Sequence, residues 1–167
     1  MTSQSEDDTK ALGRELGELL QGGDIILLDG DLGAGKTRFA KGVAEGLGAQ
    51  QSITSPTFNL VLEYLLSSNK REGAPKILRH YDLYRLESSE QLDDLDYFGL
   101  LEDVDAVSLV EWGRKFSDSL PLEYLLIHIT TESADSALRT LQVSAEGARP
   151  HELLTQLVAA RENEQHA

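Results

Sequence analysis

Helical and strand patterns of apolar residues alternate along the first 50 residues. Ser5 and Asp8 have the spacing of a capping box, which starts a helix, and a helical pattern of leucines follows. Gly22-Gly23 ends this pattern. Residues 24–29 form a short apolar run between turn residues, typical of a buried strand. A glycine-rich segment and a second helical pattern follow. The helical apolar positions are Leu12, Leu16, Leu19, Leu20, Phe39, Val43 and Leu47.

The rest of the chain combines strand patterns with short helical segments. Residues 86–105, where acids are interleaved with leucines, predict one or two short helices with an acidic outer face, and Pro150 begins a terminal helix. Two alternating runs flank a turn-rich segment and predict a hairpin. The predicted strands cover residues 58–65, 76–82, 106–110, 124–130 and 138–144.

The length of 167 residues fits a single domain. We find no internal repeat and no linker long enough to divide the chain, so we expect one domain over residues 1–167. Residues 1–6 are expected to be frayed. Residues 67–75 have the polar, glycine and proline composition of an exposed loop.

Composition excludes several classes of protein. The 15 basic and 29 acidic residues give a net charge of −14, which argues against unaided binding of nucleic acid. The absence of cysteine excludes disulfides, thiolate nucleophiles and cysteine-bound metals. No apolar run approaches the about 20 residues of a membrane-spanning helix, and the N-terminus lacks a secretory pattern. We therefore expect a cytoplasmic protein without a membrane partner.

The clearest chemical signal is the segment Gly30-Asp-Leu-Gly-Ala-Gly-Lys-Thr37, which matches the G-x-x-x-x-G-K-[ST] phosphate loop (Walker A motif). Glycines allow backbone N–H groups to converge on an anion, and the following helix adds its dipole. Lys36 can reach the β- and γ-phosphates, and Thr37 offers a hydroxyl to Mg²⁺. The alternative is a purely structural glycine turn, but the segment stands between a predicted strand and a predicted helix, as the motif requires.

A phosphate loop needs a further acid for its metal, normally at the end of another buried strand. Glu111 follows the strand at 106–110 and is the first candidate, and Asp82 ends a more polar strand and is the second. Either could also be an ordinary carboxylate at a strand end. Thr57, after Pro56, could present its hydroxyl to the γ-phosphate or Mg²⁺ as a switch residue, or could belong to a plain turn. His151 and His166 are expected to face solvent.

Four motifs in this order resemble the TsaE (YjeE) family, bacterial ATPases that assist threonylcarbamoyladenosine modification of tRNA. They are the phosphate loop, Ser55-Pro-Thr-Phe58, His80-Tyr-Asp-Leu-Tyr-Arg85 and Val110-Glu-Trp112. The resemblance covers about residues 9–121. It implies a P-loop α/β sandwich with a central, mostly parallel sheet, to which the predicted hairpin adds an antiparallel C-terminal part.

The resemblance also implies roles for individual residues. Thr37 and Glu111 would serve Mg²⁺, Thr57 would lie in a switch loop, and Asp82 would assist hydrolysis or sense the γ-phosphate. With Lys36 and Glu111, Asp82 completes the predicted catalytic set. Many members have a second threonine after the lysine-threonine pair, where this chain has Arg38. The contact of that threonine hydroxyl to the α-phosphate would then be missing. The predicted nucleotide contacts are Thr9, Asp31, Leu32, Gly33, Ala34, Gly35, Lys36, Thr37, Arg38 and Trp112.

The function implied by the resemblance is Mg²⁺-dependent ATP hydrolysis coupled to resetting a complex of two partner proteins, TsaD and TsaB. These partners would hold the tRNA, so that the acidic ATPase meets the tRNA only indirectly. Two other classes use the same loop. A small-molecule kinase would need an arginine-rich lid, for which Arg79 and Arg85 are the only basic candidates near the acids, and a non-hydrolysing nucleotide sensor would need no catalytic acid.

Overall fold

The computed structural model describes residues 1–56, 58–67, 73–131 and 136–165, with side chains up to residue 162. Seven strands form one mixed sheet in the order β1-β7-β6-β2-β5-β4-β3. The strands are β1 Thr2–Ser3, β2 Ile25–Asp29, β3 Val61–Leu65, β4 Ile77–Asp82, β5 Ala106–Glu111, β6 Tyr124–Thr131 and β7 Arg139–Glu146. The helices are α1 Glu6–Leu19, α2 Lys36–Gly46, α3 Glu90–Asp93, α4 Tyr97–Leu101 and α5 Ala148–Gln165.

The sheet is parallel only in its centre. The neighbouring strands β6, β2, β5 and β4 are mutually parallel, whereas β1, β7 and β3 join antiparallel at the two sides. The parallel centre and the antiparallel pair β6-β7 agree with the prediction, which did not include the antiparallel pairs β1-β7 and β3-β4. The antiparallel pairs β3-β4 and β6-β7 follow from the length of their connections. Each connection has fewer than the dozen or more residues that a crossover between parallel neighbours requires.

Each face of the sheet carries its own apolar core. Ile26 and Leu28 of β2 belong to the core under α1, α2 and α5, whereas Leu27 between them belongs to the core under α3 and α4. This alternation follows from the two-residue period of a strand. Among the described residues, no helix is long and apolar enough to cross a membrane.

The two helices α1 and α2 cross at four glycines. A Cβ atom added at Gly42 would lie 1.9 Å from the carbonyl oxygen of Lys10, and one added at Gly13 would lie 2.2 Å from that of Phe39. The positions of Gly17 and Gly46 are similarly tight. The backbones therefore touch directly, and α1 fixes the helix that follows the glycine-rich loop.

The N-terminus differs from the sequence prediction. Residues 1–6 are not frayed: Thr2 and Ser3 pair with Thr140 and Arg139 of β7. Ser5 caps α1 by accepting a hydrogen bond from the backbone N–H of Asp8, at 3.0 Å. Pairing with β7, which lies near the other end of the sequence, holds residues 2 and 3 in the sheet.

The bounds of other helices and strands differ from the predicted ones by a few residues. The first helix ends at Leu19 instead of continuing to the glycine pair, and β3 begins at Val61 instead of Phe58. The terminal helix begins two residues before Pro150. Of the predicted loop 67–75, Ser67 and Gly73 are exposed and Pro75 is buried, while residues 68–72 lie outside the described residues.

Candidate nucleotide site

The candidate site lies at the carboxyl ends of the parallel strands. The glycine-rich loop leaves β2 here, and Asp82 and Glu111 are the last residues of β4 and β5. They are register partners, and Leu28 of β2 pairs with Glu111 on its other side. In open α/β sheets, ligands bind outside the carboxyl ends of the strands. The topology thus brings together residues that are about 30 to 80 positions apart in sequence.

Backbone conformation suits the loop to an anion. Gly30, Gly33 and Gly35 have φ angles of 138°, 81° and 110°, in the region that favours glycine. A Cβ atom at Gly30 would also lie 2.3 Å from the carbonyl oxygen of Ile129. Gly35 caps α2, so the first N–H groups of that helix, which have no partner within the helix, stand at the loop.

Lys36, the first residue of α2, is buried and lies over the loop. Its Nζ donates hydrogen bonds to the carbonyl oxygens of Gly30, at 2.5 Å, and Asp31, at 3.0 Å. Burial lowers the pKa of Lys36, and the opposing effect of nearby carboxylates, Glu111 foremost, does not fully restore it. The lysine is a cation held between the loop and the acids.

The two acids of the site are both buried. The Oε1 atom of Glu111 lies 2.8 Å from Nε2 of His80. The Oδ1 atom of Asp82 accepts a hydrogen bond from the backbone N–H of Tyr84, at 3.1 Å. Because side chains alternate along β4 and β5, His80, Asp82 and Glu111 all point to the face that α2 covers.

Trp112 has an unusual backbone conformation next to the acids. Its φ angle is 63°, a region that non-glycine residues rarely adopt. The indole ring lies 5.1 Å from the Tyr84 ring, centroid to centroid. Strained residues of this kind cluster at functional sites.

Asp29 anchors the start of the loop. Its carboxylate accepts hydrogen bonds from Nδ1 of His128 and from Arg114, both at 3.0 Å. Burial raises the pKa of Asp29, but hydrogen bonds from the Gly30 backbone, His128 and Arg114 outweigh it, so the pKa lies below its ordinary value. The last residue of β2 is thereby tied to β6 and to the turn after β5.

A cleft of about 490 Å³ joins these elements. Nine of the predicted residues line it, together with three that the sequence analysis did not assign to the site. The predicted lining residues are Leu32, Gly33, Gly35, Lys36, Thr37, Arg38, Asp82, Glu111 and Trp112. The additional ones are Glu6, Ser55 and Tyr84.

Three predicted residues that the structure describes do not line the cleft. The Thr9 hydroxyl lies 2.7 Å from Oγ of Ser3 and donates to the Ser5 carbonyl, while Ala34 packs in the core. Asp31 contributes its backbone carbonyl to Lys36 and is otherwise exposed. Thr57 lies outside the described residues. Thr9 remains next to the loop, because its methyl carbon lies 3.7 Å from the position of a Cβ at Gly35.

The oxygen atoms at the cleft fit Mg²⁺ better than a metal that needs a full protein cage. The described residues contain no group of three or more His, Asp or Glu side chains that could enclose an ion. Thr37, Glu111 and Asp82 nevertheless place oxygen donors on one cleft. Mg²⁺ commonly takes one or two carboxylates and completes its shell with water and substrate phosphates.

Comparison with known proteins gives the family. A model of "Threonylcarbamoyl adenosine biosynthesis protein TsaE" matches residues 3–141. The chain belongs to the TsaE family. The TsaE protein of Bacillus subtilis is 37% identical over 158 residues, which cover 94% of this chain and 91% of that protein. The TsaE protein of Mycobacterium bovis is 40% identical over 139 residues, with 80% of each chain covered.

A solved structure agrees with this assignment. The crystal structure of Bacillus subtilis YdiB matches with a TM-score of 0.72 and 33% identity, covering 96% of this chain and 94% of that one. The TsaE family acts in the biosynthesis of tRNA threonylcarbamoyladenosine. The α/β fold and the family predicted from the sequence are thus confirmed.

Two of the additional lining residues lie within motifs that indicated the TsaE family. Ser55 and Tyr84 belong to the second and third motifs, which was the available signal for them. No sequence motif indicated that Glu6 lines the cleft, because its position depends on the packing of α1 against α2. It forms an ion pair with Arg38.

Proposed function

We propose that this chain is a Mg²⁺-dependent ATPase that supports tRNA threonylcarbamoyladenosine modification by binding and resetting a TsaD-TsaB complex. One observation carries the proposal: a single cleft is lined by Lys36 on the phosphate loop and by the strand-end acids Asp82 and Glu111. Phosphoryl transfer is catalysed mainly by positioning and electrostatic stabilisation, and these are the groups that it requires.

Each residue has a role that its position supports. The loop N–H groups and Lys36 would bind the β- and γ-phosphates, and Lys36 would share its donors between them and the loop carbonyls. Thr37 and Glu111 would hold Mg²⁺, which supplies charge neutralisation at the phosphates when bound. Asp82, fixed by the Tyr84 N–H, would orient the attacking water. Arg38 would contact the phosphates in place of the threonine hydroxyl.

The surroundings of the arginines favour hydrolysis over kinase activity. Arg79 is buried and forms ion pairs with Glu63, at 2.6 Å, and with Asp103, at 2.8 Å. Its side chain points to the sheet face opposite the cleft, where it donates to the Leu100 carbonyl. Arg85 lies over the Phe58 ring, 4.5 Å from its centroid. Arg79 therefore cannot serve in a phosphate-closing lid without breaking these pairs.

Charge supports an indirect relation to tRNA. With a net charge of −14, the chain is repelled by a phosphate backbone, which is bound through clustered Lys and Arg. A role in tRNA modification then requires other proteins to hold the tRNA. The two partners would supply that surface, and nucleotide turnover here would return the complex to its starting state.

The test is a single-turnover experiment with Mg²⁺-ATP, with and without TsaD and TsaB, in which all products are identified. We expect ADP and inorganic phosphate in equal amounts, formed faster with the partners, and none from Lys36→Ala. Phosphate transferred to an added metabolite would instead identify a kinase. Intact ATP bound for many hours in both conditions would identify a sensor.

A further inference from the structure

His80 is a buried histidine to which the proposed reaction gives no role. It lies in β4, the second strand from one edge of the sheet, between β3 and β5, and its side chain is 0% exposed. Its Nε2 atom is 2.8 Å from Oε1 of Glu111. Polar side chains are rarely placed so deeply unless they are hydrogen-bonded, and Glu111 is the partner here.

The chemistry of the His80–Glu111 pair determines which ring nitrogen of His80 carries the proton. An ionised carboxylate only accepts hydrogen bonds, so Nε2 must be the donor. The other ring nitrogen, Nδ1, is buried and has no hydrogen-bond partner among the described residues. A lone pair on Nδ1 fits that environment, because a buried N–H without an acceptor is costly. The ring is therefore held in the Nε2–H form.

The bond also fixes the carboxylate. Among the described residues, His80 is the hydrogen-bond partner of the Glu111 side chain, and it contacts only Oε1. Glu111 at the same time lines the cleft. A glutamate side chain has several rotatable bonds, and a directed hydrogen bond from a fully buried ring restricts them. The second oxygen is left for a ligand in the cleft.

We propose that His80 is a positioning residue, which orients Glu111 so that its free oxygen faces the Mg²⁺-nucleotide. The inference rests on the proposed function, because it deepens the metal role of Glu111 given there. Residues that orient a metal ligand change metal affinity by about 10- to 100-fold when they are replaced. A purely structural histidine would instead change stability and leave the response to Mg²⁺ intact.

The test compares ADP affinity with Mg²⁺ and with EDTA, by calorimetry, in His80→Leu and His80→Gln. The glutamine amide nitrogen can replace Nε2 as donor, whereas leucine has no donor. In His80→Leu we expect the Mg²⁺ concentration that gives half of the maximal increase in ADP affinity to rise by at least about tenfold. The ADP affinity measured with EDTA should stay within about twofold of wild type. His80→Gln should recover most of the response. A wild-type response in His80→Leu would overturn the proposal.

His151→Leu is the control, because it removes an exposed histidine that lies outside the cleft lining, with its Nδ1 atom 2.6 Å from the Gly147 carbonyl oxygen. It should retain the Mg²⁺ response. Glu111→Gln separates the two proposals: a normal Mg²⁺ response in Glu111→Gln would overturn the metal role of Glu111, whereas an impaired response there and a normal one in His80→Leu would overturn only the role of His80.

A measurement on the unmodified protein keeps the inference testable if His80→Leu does not fold. Long-range ¹⁵N–¹H NMR of the histidine rings, without nucleotide, should show His80 with its proton on Nε2 and in slow exchange with solvent. Glu111→Gln should shift that signal. A His80 ring protonated on Nδ1 alone, or a signal insensitive to Glu111→Gln, would overturn the positioning role.

Discussion

The Nζ atom of Lys36 lies 4.7 Å from the centroid of the Trp112 ring, which places the cation of the phosphate loop against the residue that follows Glu111. Ammonium groups at this distance are attracted by the electrons of an indole ring. The left-handed backbone of Trp112 turns the chain at this point, directly after β5. The loop and the acid-bearing strand are thereby in contact through an aromatic side chain.

This contact predicts an optical signal. Trp112 is the only tryptophan in the chain and lines the cleft, so its emission should change when nucleotide draws Lys36 toward phosphate. Titration of the protein with Mg²⁺-ADP should give a saturable change with the affinity found by calorimetry. Tyr124→Trp in a Trp112→Phe background, with the new tryptophan on β6, provides a control that should not respond. An unchanged spectrum despite calorimetric binding would separate Trp112 from the nucleotide.

Lys36→Ala should remove most nucleotide affinity. A hydrogen bond to a charged group contributes about 1.5–3 kcal/mol, and each 1.4 kcal/mol is a factor of ten in affinity. The loss should therefore reach at least about 10- to 100-fold by calorimetry with ADP. Lys41→Ala, on the same helix but outside the cleft lining, is the matched control and should bind normally. Wild-type affinity in Lys36→Ala would refute the phosphate-loop assignment.

Glu111→Gln should separate binding from hydrolysis. The change keeps the shape of the side chain and deletes its charge, so the nucleotide still meets the loop while a charge near the γ-phosphate is lost. We expect hydrolysis to fall by roughly 10²–10³-fold, the scale for one preorganised electrostatic contact, with a smaller effect on binding. Glu102→Gln, which is exposed and outside the cleft lining, should be unaffected. Normal turnover at saturating Mg²⁺ would move the metal role to Asp82.

The crossing of α1 and α2 should not tolerate a methyl group. Gly42→Ala would place a Cβ atom 1.9 Å from the Lys10 carbonyl oxygen, and backbone atoms on both helices would have to separate. Overpacking of this kind costs about 1–3 kcal/mol, and at this chain length each kcal/mol shifts Tm by about 2–4 °C.

The control for this change is Gly99→Ala in α4. An added Cβ there meets the carboxylate of Asp96, a flexible side chain that can move aside. Thermal unfolding should show a clear fall in Tm for Gly42→Ala and little change for Gly99→Ala. Equal midpoints for the two variants would show that the helices can separate at little cost.

The proximity of the glycine-rich loop to Asp82 and Glu111 could be expected from the sequence because the patterns that place them are local. The phosphate loop is one uninterrupted motif, and the carboxylates of Asp82 and Glu111 could be placed because each ends a predicted strand. Parallel strands bring their carboxyl ends to one edge, so the strand order was not needed to expect proximity.

The sequence did not predict features that depend on distant pairing. The two residues of β1 carry no strand pattern and are held by β7, nearly 140 positions later. The contact of Glu6 with Arg38 requires the glycine crossing of α1 and α2, which single-sequence periodicity does not contain. His80 could be noticed but not assigned, since its bond to Glu111 depends on the relative placement of β4 and β5.

The last prediction concerns the dependence of hydrolysis on partners. Two arginines at this end of the sheet have other contacts: Arg85 lies over the Phe58 ring, and Arg114 pairs with Asp29. An arginine supplied in trans can contribute about 10³–10⁵ in rate. We therefore expect the isolated chain to hydrolyse ATP slowly.

Addition of TsaD and TsaB should accelerate phosphate release, and Asp82→Asn should lower the accelerated rate because the carboxylate that orients water loses its charge. ADP affinity of the isolated Asp82→Asn variant should stay within about twofold of wild type, since the loop and Lys36 make the phosphate contacts. Asp118→Asn, exposed and outside the cleft lining, is the control and should be stimulated normally. Fast hydrolysis by the chain alone, unchanged by both partners, would refute the coupling and favour an independent ATPase.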